Sequence, residues 1–238
     1  MGGFRMNRST KNLQGHKLKA IDGKIGKVET FYFDDVTWTI RYVVADTGKW
    51  LPGKLVLLST EAFEKPDWNE EELPVSLTKD QIENSPDVSQ NEPVSRQKET
   101  EVLNYYETPI YWMSPKPRDA GLPDTPAKTD PEKKAQEFDM LQQEEEKGDI
   151  HLRDTAELIG YRIRTEDSEF GSVEDIIIDD GSWEIVQLVI DTAGSKLEGK
   201  KVIITPEHIK TVNWVEATII TGLTTKELKE NPEFEFNE

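Results

Sequence analysis

The sequence predicts an all-β protein with minor α-structure, in which two small β-barrels from an internal duplication are joined by a partly helical, acidic linker. Three observations support this fold class. The 238-residue chain matches itself at a shift of about 145 residues over roughly seventy positions, which indicates a duplication. Each matching part is a series of short β-prone segments separated by turn signals, a pattern typical of small barrels. The middle of the chain is rich in proline and acidic residues, as linkers are.

The self-match is carried by whole segments. The matching pairs, in chain order, are 25–29 with 170–174, 34–40 with 179–185, 44–47 with 189–192 and, after one inserted residue, 53–54 with 199–200 and 77–78 with 223–224. These pairs predict a first barrel unit at residues 8–86, a linker at residues 87–150 and a second barrel unit at residues 151–238.

The elements of each unit follow from local patterns. Strands of the first unit are predicted where β-prone residues alternate or run continuously, at residues 16–20, 28–33, 38–46 and 54–58. Asp34-Asp35 precedes the strongest strand and indicates a hairpin turn, and the second unit has Asp179-Asp180-Gly181 at this place. Each unit ends in a short helix, because Thr78 and Thr224 are followed three residues later by Gln or Glu, the pattern of a capping box.

The linker holds seven of the thirteen prolines, which argues for an extended or disordered chain. Two segments interrupt it. Asp130-Pro131 begins a predicted helix over residues 131–147, which ends before Gly148. Residues 105–113 are strongly aromatic, so we expect them to be covered by other protein surface.

Motif residues of the first unit resemble those of the PRC-barrel domain. They are Gly15, residues 25–29, Asp34-Asp35, residues 38–44, Asp46-Thr47, Trp50 and residues 52–58. That domain is a small β-barrel shared by the cytoplasmic part of the photosynthetic reaction-centre H subunit and a ribosome-maturation factor. The chain as a whole is similar to bacterial proteins with two PRC-barrels in tandem and an aromatic middle segment. The resemblance implies this fold and a role as an interaction module, and it implies no activity.

The second unit departs from the PRC-barrel pattern at several positions. Trp50 is replaced there by Ser195, and Pro52 is replaced by Leu197. We therefore expect any specialised role of the Trp50 loop to belong to the first unit.

Composition excludes several classes of protein. The chain has 47 acidic and 29 basic residues, a net charge of −18 and no long basic run, so we expect no nucleic-acid partner. It has no cysteine, which excludes disulfides, thiolate catalysis and cysteine-bound zinc. No segment approaches the roughly 20 apolar residues of a transmembrane helix. We therefore expect a soluble, cytoplasmic protein with no integral membrane segment.

The repeated acid pairs, Asp34-Asp35 and Asp179-Asp180, are the strongest candidates for chemistry. Clustered carboxylates can bind Ca²⁺ or Mg²⁺ or act as an acid/base pair. Asp is also favoured in hairpin turns, because its side chain accepts hydrogen bonds from nearby main-chain N–H groups. We favour the turn role and keep Asp34, Asp35, Asp179 and Asp180 as weak metal-site candidates. We predict no catalytic residue, no bound metal and no cofactor.

The tryptophans divide into two groups. Trp38 matches Trp183 and Trp68 matches Trp214, and repeated positions of this kind predict core or barrel-closing roles. Trp50 and the segment 105–113 have no counterpart in the second unit. We predict an interaction surface here, because aromatic residues and Met are enriched at interfaces; it comprises Trp50, Tyr105, Tyr106, Tyr111, Trp112 and Met113. The alternative is that the segment packs within the chain, across the two barrels.

The predicted function is non-catalytic. We expect an interaction or scaffold module that binds a protein partner or associates with itself as a homo-oligomer. One alternative is a protein that binds a small ligand or a divalent cation in a carboxylate-lined cleft between the barrels. A second alternative is a carboxylate-dependent hydrolase.

Overall fold

The structure is a computed structural model that describes residues 6–48, 50–51, 55–86, 96–110, 152–192 and 200–230. This part of the chain is mostly β-structure with few helices, arranged in two sheets, which confirms the predicted fold class at that level. The strands are β1 (Asn7–Ser9), β2 (Lys17–Ala20), β3 (Gly23–Asp34), β4 (Thr39–Asp46), β5 (Leu55–Ser59), β6 (Glu72–Pro74), β7 (Leu152–Asp154), β8 (Arg162–Arg164), β9 (Glu169–Asp179), β10 (Ile185–Asp191), β11 (Lys201–Ile204), β12 (Ile209–Asn213) and β13 (Thr218–Thr221). The helices are α1 (Thr10–Leu13), α2 (Lys79–Glu83), α3 (Arg96–Tyr105), α4 (Thr155–Leu158) and α5 (Thr225–Glu230), with 3₁₀ turns at Thr60–Ala62 and Pro206–His208.

The two sheets share one order of strands, to which the C-terminal sheet adds a further strand, β12. The N-terminal sheet has the order β5-β4-β3-β2-β6, and β7 is added at β3. The C-terminal sheet has the order β11-β10-β9-β8-β13-β12, and β1 is added at β9. Each sheet is built on a long antiparallel hairpin, β3-β4 or β9-β10, and each contains one parallel pair, β2-β6 or β8-β13.

Each sheet takes one short strand from the other half of the chain. β1 pairs with β9, where Asn7 lies opposite Asp179. β7 pairs with β3, where Leu152 lies opposite Asp34. The sequence pattern predicts neither strand, because a segment of three residues carries no periodicity. The exchange means that neither sheet is formed by one continuous stretch of sequence.

A single hydrophobic core connects the two sheets. It contains Phe31 and Phe33 of β3 together with Ile176 and Ile178 of β9, and all four side chains are buried. Burial of this shared core supplies the main stabilisation, at about 25 cal/mol per Å² of apolar surface. Gly26 of β3 has φ +151°, and a Cβ atom there would collide with the carbonyl oxygen of Asp46, so the position requires glycine.

A second hydrophobic cluster covers the opposite face of the N-terminal sheet. Tyr42 and Val44 of β4 contact α3 there through Val102 and Leu103. β4 is therefore buried on both faces, and the predicted alternation of buried and exposed residues along it is lost. Helix α3 lies at residues 96–105 of the predicted linker, and no helix is predicted for these residues. The predicted helix at residues 131–147 lies outside the described residues.

Among the described residues, no helix is long and apolar enough to cross a membrane.

Candidate functional site

Two of the four candidate aspartates shape the hairpin turns. Asp34 is buried and accepts hydrogen bonds from the N–H groups of Val36 and Thr37, at 3.0 and 2.9 Å. Asp179 accepts corresponding bonds from Gly181 and Ser182, at 3.0 and 2.7 Å. These contacts are those of an Asx turn, in which the carboxylate satisfies main-chain donors that would otherwise lack a partner.

The other two aspartates bind arginines from the opposite half of the chain. Asp180 contacts Arg8 of β1 at 3.4 Å, and Asp35 contacts Arg153 of β7 at 3.8 Å. The exchanged strands β1 and β7 are thus tied to the turns of the sheets that they join.

Each arginine also lies over an indole ring of its own half. The guanidinium carbon of Arg8 is 4.1 Å from the centroid of the Trp68 ring, and that of Arg153 is 4.4 Å from the Trp214 ring. A guanidinium that stacks on an aromatic ring and faces a carboxylate gains both cation–π and ion-pair energy. The two tryptophans therefore hold the junction between the halves.

The junction also contains two hydrogen-bonded pairs of a hydroxyl and a carboxylate, the first buried and the second partly buried. Ser9 donates to Asp175 at 2.5 Å, and Thr30 donates to Asp154 at 2.5 Å. The carboxylate comes from the long strand β9 in the first pair and from the short strand β7 in the second pair. The hydroxyl and the carboxylate have therefore changed places between the two halves of the chain. Burial raises the pKa of Asp154, and the hydrogen bonds from Thr30 and from the Ala156 N–H partly offset that shift.

Between the two turns, the sheets meet in direct main-chain contact. Thr39 and Glu184 form an isolated antiparallel bridge. The residues that precede them, Trp38 and Trp183, have φ values of +54° and +59°. This left-handed conformation is rare for a bulky side chain, so the surrounding contacts must hold it in place. The predicted strand from residue 38 therefore begins one residue later, at Thr39.

The four acidic candidates thus take part in turns and ion pairs at the junction. Among the residues that the structure describes, no group of three or more His, Asp or Glu side chains is arranged to hold a metal ion.

A groove with a volume of about 330 Å³ opens at one end of this junction. Its first wall is the turn of the N-terminal sheet, with Asp35, Val36 and Trp38, and its second wall is residues 209–212 of β12 with Trp214. The buried ring of Phe33 lies behind both indoles, with ring centroids 5.5 Å from Trp38 and 6.5 Å from Trp214. Each half of the chain therefore contributes one wall.

Exposed apolar side chains flank the groove. Val36 in the turn is 61% exposed, and Val215, which follows Trp214, is 96% exposed. These two valines add exposed apolar surface beside the indole rings of Trp38 and Trp214.

The corresponding place at the other end of the junction is filled. There the ring of Phe63 packs on Trp183, with centroids 5.4 Å apart. In place of a strand like β12, this part of the chain forms the isolated bridges Phe63–Val75 and Asp67–Glu72, and the Glu64 N–H donates to the Pro74 carbonyl at 3.0 Å. In the self-alignment, four residues at the groove correspond to different residues at the other end: Val36 to Gly181, Ile209 to Phe63, Val212 to Pro66 and Val215 to Asn69. The two ends of the junction therefore differ both in strand structure and in surface.

The aromatic residues predicted as an interaction surface fall into two sets. Tyr106 packs against both hydrophobic clusters, and burial raises its pKa to about 12. Tyr105, 37% exposed, donates a hydrogen bond from its hydroxyl to the Gln81 carbonyl at 2.7 Å. Trp50 is half-buried and lies under the ammonium group of Lys79, 4.6 Å from the ring centroid. These three side chains make contacts within the chain.

The remaining three residues of that predicted surface, Tyr111, Trp112 and Met113, lie outside the described residues. No motif in the sequence points to Val36, Ile209 or Val215. The available signal was the self-alignment, in which these positions face Gly181, Phe63 and Asn69.

One comparison with known proteins gives a match. Residues 152–221 match the family model of the PRC-barrel domain. No curated protein matches the chain. The matched segment covers less than half of the chain and runs from the first residue of β7 to the last residue of β13, so it includes the strand that joins the N-terminal sheet. Between Leu152 and Thr221, this chain is therefore similar to PRC-barrel domains.

Proposed function

We propose that the chain consists of two PRC-barrel units from an internal duplication and that it is a non-catalytic interaction module for a protein partner. The tandem arrangement is supported by the family match of the C-terminal half and by the shared strand order of the two sheets. It is also supported by contacts that occur in corresponding pairs, such as Arg8–Asp180 and Arg153–Asp35. Two copies of one fold related by an approximate two-fold axis make contacts of this kind.

The observation that carries the interaction role is the groove between Trp38 and Trp214. Its two walls come from different halves, so the surface exists only when the halves are joined. Tryptophan is among the residues that contribute most to binding energy at protein interfaces. The exposed side chains of Val36 and Val215 extend the apolar surface beyond the groove itself.

The contacts of the acidic residues support a non-catalytic role. A general acid or base has to reach a substrate, and a metal ligand has to direct its oxygens at the ion. Asp34 and Asp179 instead accept main-chain hydrogen bonds in turns, and Asp35 and Asp180 face arginines.

Photo-crosslinking in the native host tests the interaction role. A photoreactive phenylalanine analogue is placed at Val36 of the full-length protein, and the matched control carries it at Gly181. We expect a discrete adduct with one other protein from position 36 and none from position 181. No adduct from position 36, or the same adducts from both positions, would contradict the proposal. An adduct between two copies of the chain would replace it with self-association.

A further inference from the structure

We propose that the groove binds an extended, positively charged segment of the partner protein, which adds as a strand to the open edge of β12 and inserts an apolar side chain between Trp38 and Trp214. This inference rests on the proposed function, and it adds the conformation and the chemistry of the bound segment.

The position of the groove along β12 indicates strand addition. Successive side chains of a strand point to opposite faces of the sheet. The groove is lined by four successive residues, 209–212, so it runs along the edge of the strand and not over one face. β12 is the last strand of its sheet, and within the described part of the chain it pairs with β13 alone. An open strand edge presents main-chain donors and acceptors that an extended peptide can bind.

The interior of the groove indicates an apolar anchor. Indole rings form both sides, and the buried ring of Phe33 lies behind them. Its volume of about 330 Å³ is at the lower end of the range of small-molecule sites, about 300–1,000 Å³. The space suits one large side chain of a bound peptide, which would bury apolar surface against Trp38 and Trp214.

Charge decides between a second copy of the chain and a basic partner. Each copy carries a net charge of −18, so two copies repel each other, whereas a segment rich in Lys or Arg is attracted. The charged side chains of the groove walls are both paired, Asp35 with Arg153 at 3.8 Å and Lys210 with Glu166 at 2.7 Å. The net charge of the whole chain therefore favours a basic segment.

The filled end of the junction shows which substitutions close such a groove. Phe63 takes the place of Ile209 and packs against Trp183. Pro66 takes the place of Val212, and proline has no N–H group to offer an added strand. Phe63 and Ile209 each follow a 3₁₀ turn in an extended conformation, so Ile209→Phe introduces a side chain that the equivalent position accommodates at the other end.

A synthetic peptide of about nine residues, a usual strand length, serves as the probe. It alternates Lys and Thr around a central Trp. One comparison peptide has Glu in place of Lys, and another has N-methylated amides at alternate residues, which blocks strand pairing and keeps the composition. Fluorescence anisotropy with the full-length protein gives the Kd of each peptide, and amide hydrogen exchange maps the bound site.

We expect the basic peptide to bind and to protect residues 209–213 from exchange. The Glu peptide, the N-methylated peptide and the Ile209→Phe variant should each weaken binding at least about tenfold, equal to about 1.4 kcal/mol. Phe63→Ile, the reverse exchange at the filled end, should leave the affinity unchanged. Equal binding of the N-methylated peptide, or protection elsewhere, would overturn the inference.

Two further results separate this inference from the function on which it rests. If Val36 crosslinks a partner but the N-methylated peptide and Ile209→Phe change nothing, the interaction role stands and strand addition is wrong. If β12 is protected without any peptide and loses that protection when residues 231–238 are removed, the occupant is a segment of this chain, and the inference is overturned.

Discussion

Thr39 and Glu184 pair in an antiparallel bridge that joins the N-terminal sheet to the C-terminal sheet. On either side of it, the Ile40 N–H donates to the Trp183 carbonyl and the Ile185 N–H donates to the Trp38 carbonyl, both at 2.8 Å. The exchanged strands β1 and β7 add further main-chain pairing between the halves. Because the sheets also share one core, we expect the described sheets to unfold in a single cooperative transition.

The stacked arginines test the strength of this junction. We expect Arg153→Ala to lower the free energy of unfolding by about 2–3 kcal/mol, because it removes a cation–π contact with Trp214 and leaves the mostly buried Asp35 without its arginine. Urea denaturation followed by circular dichroism measures the loss. Arg8→Ala should give a similar loss, since Arg8 has the corresponding contacts with Trp68 and Asp180. A change below about 0.5 kcal/mol, as at an ordinary surface site, would contradict the structural role.

The partly buried hydroxyl–carboxylate pair of Thr30 and Asp154 allows a double-mutant cycle. Thr30→Asp places a second carboxylate against Asp154, and we expect it to lower the free energy of unfolding by about 2–4 kcal/mol at pH 7. Adding Asp154→Ser should recover most of that loss, because the double variant has the arrangement of Asp175 and Ser9. Serine also preserves the helix cap, as Ser9 caps α1.

Chemical denaturation of the wild type, both single variants and the double variant gives the coupling energy of this pair. Additive effects of the two substitutions would show that Thr30 and Asp154 do not interact as described.

Helix α3 has a specific structural role. We expect Leu103→Ala to lower the free energy of unfolding by about 2–4 kcal/mol, because Leu103 is buried in the cluster with Tyr42 and Leu57. Asn104→Ala, at an exposed position of the same helix, is the matched control and should change it little. Hydrogen exchange should also show faster exchange in α3 of the Leu103 variant. Equal effects of the two substitutions would mean that α3 does not pack on the sheet.

The acid limb of the stability curve tests the α5 cap. Asp167 accepts hydrogen bonds from the N–H and the hydroxyl of Thr225, which lower its pKa from 3.8 to about 2. Because the folded pKa lies below the unfolded one, this stabilisation is present above about pH 4 and is lost as the pH falls toward 2. NMR titration of the carboxyl group and denaturation of Asp167→Asn between pH 2 and pH 7 measure it. If the variant loses as much stability per pH unit as the wild type below pH 4, Asp167 has no such role.

Local features of the fold could be predicted from the sequence. The two capping boxes are confirmed: the Thr78 and Thr224 hydroxyls accept from Gln81 and Glu227 N–H groups at 3.3 Å each. The Asp34 turn is also confirmed. In each case the partners are within a few residues, so the pattern that predicts the element is also the interaction that forms it.

Long-range features could not be predicted in this way. β1 and β7 are strands only because they pair with β9 and β3, more than a hundred residues away. The groove depends on Ile209 being smaller than Phe63 in a place that only the folded chain defines. The self-alignment shows that Phe63 corresponds to Ile209, but it does not show which residues surround either side chain.

Hydrogen exchange on the complex of the full-length protein with the partner captured through Val36 tests the docking site most directly. We expect slower exchange at residues 209–213 in the complex than in the free protein, and no change at residues 63–67 of the filled end. Protection confined to residues 63–67 or to α3, with residues 209–213 unchanged, would contradict docking at β12.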